Sequence, residues 1–399
     1  MEARKKRIEE LDILRGFALF GVLLVNLTMM HTSRVGFSVS RMDLEGMNRL
    51  SALAIEVFFQ GKFYTSFSIL FGLGFFLFMN RTRPPSTDGT RLDPPPAKEM
   101  SYYFIRRMLV LLVFGMIHMV FVWHGDILHT YAVIGLILLY SGNVSEQRLL
   151  RRAVFWLLIA ALFNGFFSAL IEEPGLFQGM LTSPRIPYAD EIYSQGSYLA
   201  LLRYRLVHEV QDAPANLLLL LPKILGLFYL GCFLGQKGVF QNLKTHRAAI
   251  GKVFRYSAFS SLLLILLTRF FALYTGGATP YYTFAFLEGA LGDLLTVSGS
   301  LFYMSGLLIL LGYPRWEKVL RPLRYMGRMA LTNYLMQTVF WSVVFNGYGL
   351  GLYGKLPYWS FFPLAAGFFI LQLFISKWWL ARRKNGPMEA FWRKLTYQN

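Results

Sequence analysis

Between Gly115 and Tyr131 the chain reads GMIHMVFVWHGDILHTY, which sets His118, His124, Asp126 and His129 into a run that is otherwise apolar. Histidine titrates near neutral pH and so serves as a general acid or base, and a carboxylate three residues away can fix its tautomer and raise its basicity. Asp126 also has a plainer use, as the N-cap of the helix that follows. Other apolar runs carry polar groups as well: Asn26; Glu56 and Lys62, the latter heading the string GKFYTSFS; Arg269; Glu288 and Asp293; and, in GRMALTNYLMQ, Arg328, Asn333 and Gln337. Charges in such runs are costly and turn toward a protein interior, where they mark a functional site unless they neutralise one another, as Lys62 with Glu56 or Arg269 with Glu288 would. The three histidines and Asp126 are metal-ligand types, but separations of six and five residues between the histidines miss the i, i+4 register. No metal is expected.

The elements that must position these residues are membrane spans. Hydrophobic residues make up 55% of the chain and aromatics 17%, while charged residues make up only 16%, against about 25% in a soluble domain. The net charge of +18 does not gather into one basic face; it punctuates the apolar runs, which argues for topology rather than nucleic acid binding. The single cysteine, Cys232, excludes an intrachain disulfide. The basic N-terminus has the flank of a signal peptide but no small-residue cleavage site after the first apolar run, so that run reads as an uncleaved span.

Apolar windows predict about ten spans, near 12–31, 52–79, 102–123, 126–141, 152–172, 214–236, 253–273, 286–312, 325–346 and 358–381. Lys and Arg fall in every second connection, which puts both termini in the cytoplasm. His118 then lies about 10 Å below the outer end of its helix, with His124 at the mouth. The Pro- and charge-rich stretch RTRPPSTDGTRLDPPPAKE reads as a solvated cytoplasmic linker. The external stretch YADEIYSQGSYLALLRYRLVHEV mixes tyrosines with charges, as in an amphipathic helix that lies on the membrane or folds over an external mouth. The chain divides into 1–172 with the first five helices, the external segment 173–213, and 214–399 with the last five helices and a basic tail. Small-residue faces such as Gly72 and Gly74 would suit a homodimer.

Four strings, LDILRGFALFGVLLVN, FFQGKFYTSFSILFGLGF, RRMLVLLVFGMIHMVFVWHGDILHTYAVIGL and GRMALTNYLMQTVFWSVVFNGYGLGLYG, resemble the YeiB family of bacterial multi-pass proteins, through most of the chain and in the family's order. The resemblance implies a multi-pass protein of the bacterial cytoplasmic (inner) membrane. A more distant likeness lies in Leu11, Asp12, Arg15, Gly16 and Ala18, whose pattern is similar to that of transmembrane acyltransferases, the heparan-alpha-glucosaminide N-acetyltransferase group among them. That likeness implies an acyl-CoA, acetyl-CoA foremost, entering from the cytoplasm, an intramembrane histidine acting in transfer, and an acceptor at the outer face. The chain departs from it in one respect: the offset at which the glycan acyltransferases carry a first-span histidine reaches Asn26 here, with His31 beyond it.

The expected architecture is an all-α, polytopic membrane bundle. The expected activity is acyl transfer from acyl-CoA to an envelope sugar, a lipid-linked intermediate or a small molecule. His118 would be the general base, Asp126 or Glu56 would orient it, and Lys62 or Asn26 would polarise the thioester. Arg15, Arg106, Arg107 and Arg328, at the cytoplasmic helix ends, suit the CoA phosphates, with Asn333 and Gln337 nearby; the plainer use of those arginines is topological anchoring. The competing expectation is a transporter in which His118, Asp126, Lys62, Glu288 and Asp293 relay protons or ions. A receptor or scaffold would leave the buried charges without a purpose.

Overall fold

The structure is a computed structural model, described over residues 7–32, 44–80, 97–140, 144–171, 183–274 and 281–397. Most of the predicted cytoplasmic linker, at 81–96, and the start of the external segment, at 172–182, lie outside the described residues. Every regular element among the described residues is helical. In chain order these are α1 (Glu9–Met30), α2 (Gly46–Phe58), α3 (Lys62–Met79), α4 (Ala97–Phe121), α5 (Leu128–Leu139), α6 (Glu146–Ile171), α7 (Arg185–Gln195) and α8 (Tyr198–Tyr204). They continue with α9 (Ala213–Gln236), α10 (Leu243–Tyr274), α11 (Tyr281–Leu310), α12 (Pro314–Leu320), α13 (Leu323–Arg328), α14 (Ala330–Phe345), α15 (Phe361–Arg382) and α16 (Pro387–Tyr397).

Eight stretches among the described residues are long and apolar enough to cross a membrane: α1, α2 with α3, α4, α6, α8 through α9, α10, α11 and α15. The fourth and ninth predicted spans are helices of 12 and 16 residues. At about 1.5 Å per residue neither covers the roughly 30 Å of a hydrocarbon core by itself. The first is preceded by the non-helical turn 122–127, and the second is separated from α13 by a break at Met329. Irregular backbone at such depth survives only where protein covers it, and both helices pack on neighbours: α5 on α4 and α9, and α14 on α1. By contrast α6 and α10 present Phe155, Leu158, Leu162, Phe166, Phe259, Leu262 and Leu266 outward, an apolar face suited to lipid.

Close crossings rest on glycine. A Cβ at Gly16 would stand 2.1 Å from the Leu323 carbonyl oxygen, and one at Gly327 would meet the Asp12 carbonyl, so α1 and α13 touch backbone to backbone. Gly72 and Gly231 do the same for α3 and α9, against Phe228 and Ile69. Gly72 is therefore spent within the chain and Gly74 faces Arg15, so the surface that suggested a homodimer is occupied internally.

The external segment is no single amphipathic helix on the lipid surface. It breaks into α7, α8, a π-helical turn at Arg205–Glu209 and a 3-10 turn at Val210–Asp212. It folds onto the outer loops: Tyr193 stacks on Tyr353 with centroids 5.4 Å apart, Tyr353 donates to Asp190 at 2.7 Å, and the Gly347 amide donates to the Tyr193 carbonyl at 2.8 Å.

Gly72→Ala should lower thermal stability by about 1–3 kcal/mol through overpacking at the α3–α9 crossing. Gly367→Ala in α15, where nothing lies within 4 Å of the new methyl, should be neutral or stabilising by up to about 1 kcal/mol. Thermal unfolding of the two purified variants side by side checks the difference in sign.

Candidate functional site

A cavity of about 880 Å³ runs through the bundle between α1, α3, α4, α9, α11 and α14. Its end nearest the two termini, the predicted cytoplasmic one, is cationic, bordered by Arg7, Arg15, Arg107, Arg328 and Arg393. Helix α1 supplies the frame for this end. Asp12, 2% exposed, is ion-paired with Arg7 and lies 3.6 Å from Arg15, while Gly16 brings α13 close enough to present Arg328. Each residue of the Asp12, Arg15, Gly16 pattern thus has a place in building one mouth.

The C-terminal helix α16 lines the same mouth. Glu389 accepts from the amides of Leu331 and Thr332 at 2.8 and 3.1 Å, capping the first turn of α14, and Trp392 donates to the Arg107 carbonyl at 2.9 Å. The Arg107 guanidinium lies 3.8 Å above the Trp392 ring.

The middle of the cavity is apolar and aromatic, with Phe67, Phe71, Leu111, Tyr131 and Tyr334. Its outer end is polar again. There Asp293 is ion-paired with Lys223, both at most 5% exposed in their side chains; Thr296 Oγ1 accepts a hydrogen bond from Lys223 Nζ at 2.7 Å and Asn164 donates to Asp293 at 3.2 Å. Lys223 follows Pro222, where α9 lacks one backbone donor. Asn26, Gln60 and Tyr64 border the same end.

The histidine cluster is ordered but sealed. Asp126 joins the two helices of the hairpin: one oxygen meets His118 Nδ1 at 2.9 Å, the other meets the His129 amide and His129 Nδ1, both at 3.0 Å. An ionised Asp126 can only accept, so both Nδ1 atoms carry protons. In the neutral imidazole, His118 Nε2 is then the acceptor for the Thr338 hydroxyl, which lies 2.7 Å away. Hydroxyl, imidazole and carboxylate stand in the order of a nucleophilic triad. Yet His118 and Thr338 are 2% and 1% exposed, neither borders the cavity, and Tyr334 lies against the imidazole at 5.4 Å.

This corrects several expectations. A general base must reach its proton within hydrogen-bond distance, and His118 has both nitrogens engaged away from the cavity; Asp126 holds the turn. Glu56 does not orient it: its carboxylate pairs at 2.6 Å with Arg269. Lys62 is buried and does not border the cavity; among the described residues Nζ donates to the backbone carbonyls of Gln60 and Glu56, at 3.2 and 3.5 Å. Asn333 and the Gln337 amide nitrogen join an α14–α15 network with Ser376 and Gln372, and neither residue borders the cavity. Arg106 does not border the cavity. Asn26, Arg15, Arg107 and Arg328 do. His31 is also buried, accepting the Leu356 amide at 3.2 Å, and His124 pairs with Glu209 at 3.2 Å. Burial and that Glu209 carboxylate push the Tyr193 phenol well above its usual range, so it stays protonated and donates to Glu209 at 2.7 Å. Lys223 and Asn164 were missed, although each is a lone polar residue in an apolar run and was legible by the rule that singled out Lys62.

Residues 234–399 match a family model described as "Protein of unknown function (DUF418)". An "Uncharacterized protein YeiB" of Escherichia coli is 24% identical over 97% of this chain and 95% of its own length. An "Uncharacterized 39.9 kDa protein in amylase 3'region" of Bacillus acidopullulyticus is 31% identical over 99% of this chain and 95% of its own. The chain belongs to the YeiB (DUF418) family. A further relative, "Uncharacterized protein YxaH" of Bacillus subtilis, is 29% identical over 98% and 94% of the two chains. No solved structure matches. In this YeiB-family member the matched region contains Asp293, Arg328, Tyr334 and all of α16, so it holds parts of both ends of the cavity.

His118→Ala should cost about 3 kcal/mol, because it strips a buried carboxylate of one partner. Thr338→Val, which removes a single hydroxyl, should cost about 1 kcal/mol. Thermal unfolding in detergent measures both; the reverse order would contradict the cluster as described.

Proposed function

We propose that this multi-pass membrane protein is an acyltransferase that takes an acyl group, acetyl in the simplest case, from acyl-CoA at the cytoplasmic mouth and passes it to a hydroxyl or amine acceptor at the outer end. The observation that carries the reading is one cavity with an arginine-rich end, an apolar waist and a polar outer end. Guanidinium groups bind phosphate oxygens through paired, charge-assisted hydrogen bonds. Arg15, Arg107 and Arg328 converge from three helices, with Arg7 and Arg393 beside them, and Trp392 supports Arg107 from below.

A CoA held there by its phosphates would send its thiol arm up the waist, where the aromatic lining keeps water from the thioester. Transfer is balanced within the two substrates. The acceptor's oxygen or nitrogen forms a bond to the acyl carbon, the carbon–sulfur bond breaks, and the acceptor's proton ends on the CoA sulfur. Asn26 borders the cavity and is the group that would donate to the thioester carbonyl. Lys62 and His118 have no part in this scheme; His118 fixes the turn that shapes the outer wall.

Transport is the competing reading, and the same cavity favours it, since a path lined by a buried Lys–Asp pair suits a relay. Titration calorimetry with acetyl-CoA, CoA and a CoA-free solute panel separates them. Acyl transfer predicts saturable acetyl-CoA binding that Arg15→Gln or Arg107→Gln each weakens by about 10- to 100-fold, the loss of one charge-assisted contact. Absence of binding by every CoA species would reject the acyltransferase and leave transport.

A further inference from the structure

The two oxygens of Asp293 are treated unequally. Oδ1 is paired with Lys223 and receives Asn164, whereas Oδ2 is buried and has no hydrogen-bond partner among the described residues, although Asp293 borders the cavity. An ionised oxygen left without a donor in a low-dielectric interior is expensive. Room lies beside it: Gly292 also borders the cavity, and nothing stands within 4 Å of where its Cβ would be.

The local charge selects the kind of donor. Lys223 already balances Asp293, and a second ammonium approaches the same helix, since the Lys62 stem packs about 3 Å from the Cβ position of Gly299 with Nζ held, among the described residues, by backbone carbonyls. A cationic ligand would meet a surplus of positive charge. A neutral hydroxyl would not, and it supplies the one hydrogen bond that Oδ2 lacks.

We propose that Asp293 is the binding and orienting group for a ligand hydroxyl at the outer end of the cavity. The site stands on its own geometry; only the further statement that this alcohol is the acyl acceptor rests on the acyltransferase reading. On that reading the transfer is O-acylation: the alcohol oxygen forms the ester, the carbon–sulfur bond breaks, and the hydroxyl proton ends on the CoA thiol. Asp293 holds the attacking oxygen in place while its charge remains paired with Lys223.

The test uses a diazirine-bearing octanol as photolabel on the full chain in lipid nanodiscs, with 1-octanol and methyl octyl ether as competitors that differ in the hydroxyl proton. The label should fall on the Gly289–Thr296 or Asn164–Ser168 stretch, and octanol should compete at least tenfold better than the ether. In Lys223→Met/Asp293→Leu the preference should vanish. Replacing the pair together leaves no orphan charge, so this variant should fold, which its thermal unfolding reports. Equal competition by ether and alcohol in the unmodified protein would overturn the proposal, as would a preference that survives in the folded double variant. Acetyl-CoA binding is measured on the same samples. Its absence alongside an intact alcohol preference would remove the acyltransferase reading and support the hydroxyl site.

Discussion

A polar group without a partner is more expensive in hydrocarbon than anywhere in a soluble protein, and that cost organises this chain. The backbone answers with helices. The ionisable side chains answer by turning inward, where Asp12, Asp126, Lys223 and Asp293 are each at most 8% exposed and each is held by a partner. The apolar faces of α6 and α10 can then be given to lipid. What remains inside is a bundle whose polar contents are sorted by height: cations at one end, aromatics in the middle, a neutralised ion pair at the other.

Two kinds of inward polar group follow, with different consequences. The His118–Asp126–His129–Thr338 set is closed: nearly every donor has an acceptor, the groups come from two sides of a hairpin and from α14, and the product is a fixed turn. The Lys223–Asp293 set is open, with one oxygen unpaired beside a cavity. Closed sets hold a fold, whereas open sets are where ligands are met. Position separates Asn333 and Gln337, which lie between α14 and α15 and off the cavity, from Asn26, which borders it.

Much of the fold was legible in the sequence because hydropathy and the placement of Lys and Arg are strong, local signals. Eight spans and the all-helical class follow from them. The turn at His124 and Gly125 was legible, and the structure widens it to 122–127, but window averages do not register the break at Met329 that shortens α14. The site was legible only in part. Polar residues in apolar runs could be picked out, but helical phase around each span decides which of them border a cavity, and a near-featureless apolar pattern leaves that phase undetermined. Thus Arg107 borders the cavity and its neighbour Arg106 does not. The role of α16 was invisible for another reason. A basic tail reads as topology, and only its docking shows that Glu389 caps α14 and Trp392 underlies Arg107.

The central claim is that one cavity joins a cytoplasmic anion site to an outer polar site, and cryo-electron microscopy of the chain in nanodiscs with acetyl-CoA tests it most directly. The account predicts density with its diphosphate among Arg15, Arg107 and Arg328 and its acyl arm rising past Tyr334 toward Asp293. Acetyl-CoA density elsewhere on the chain, or a cavity holding only lipid at saturating acetyl-CoA, would contradict it.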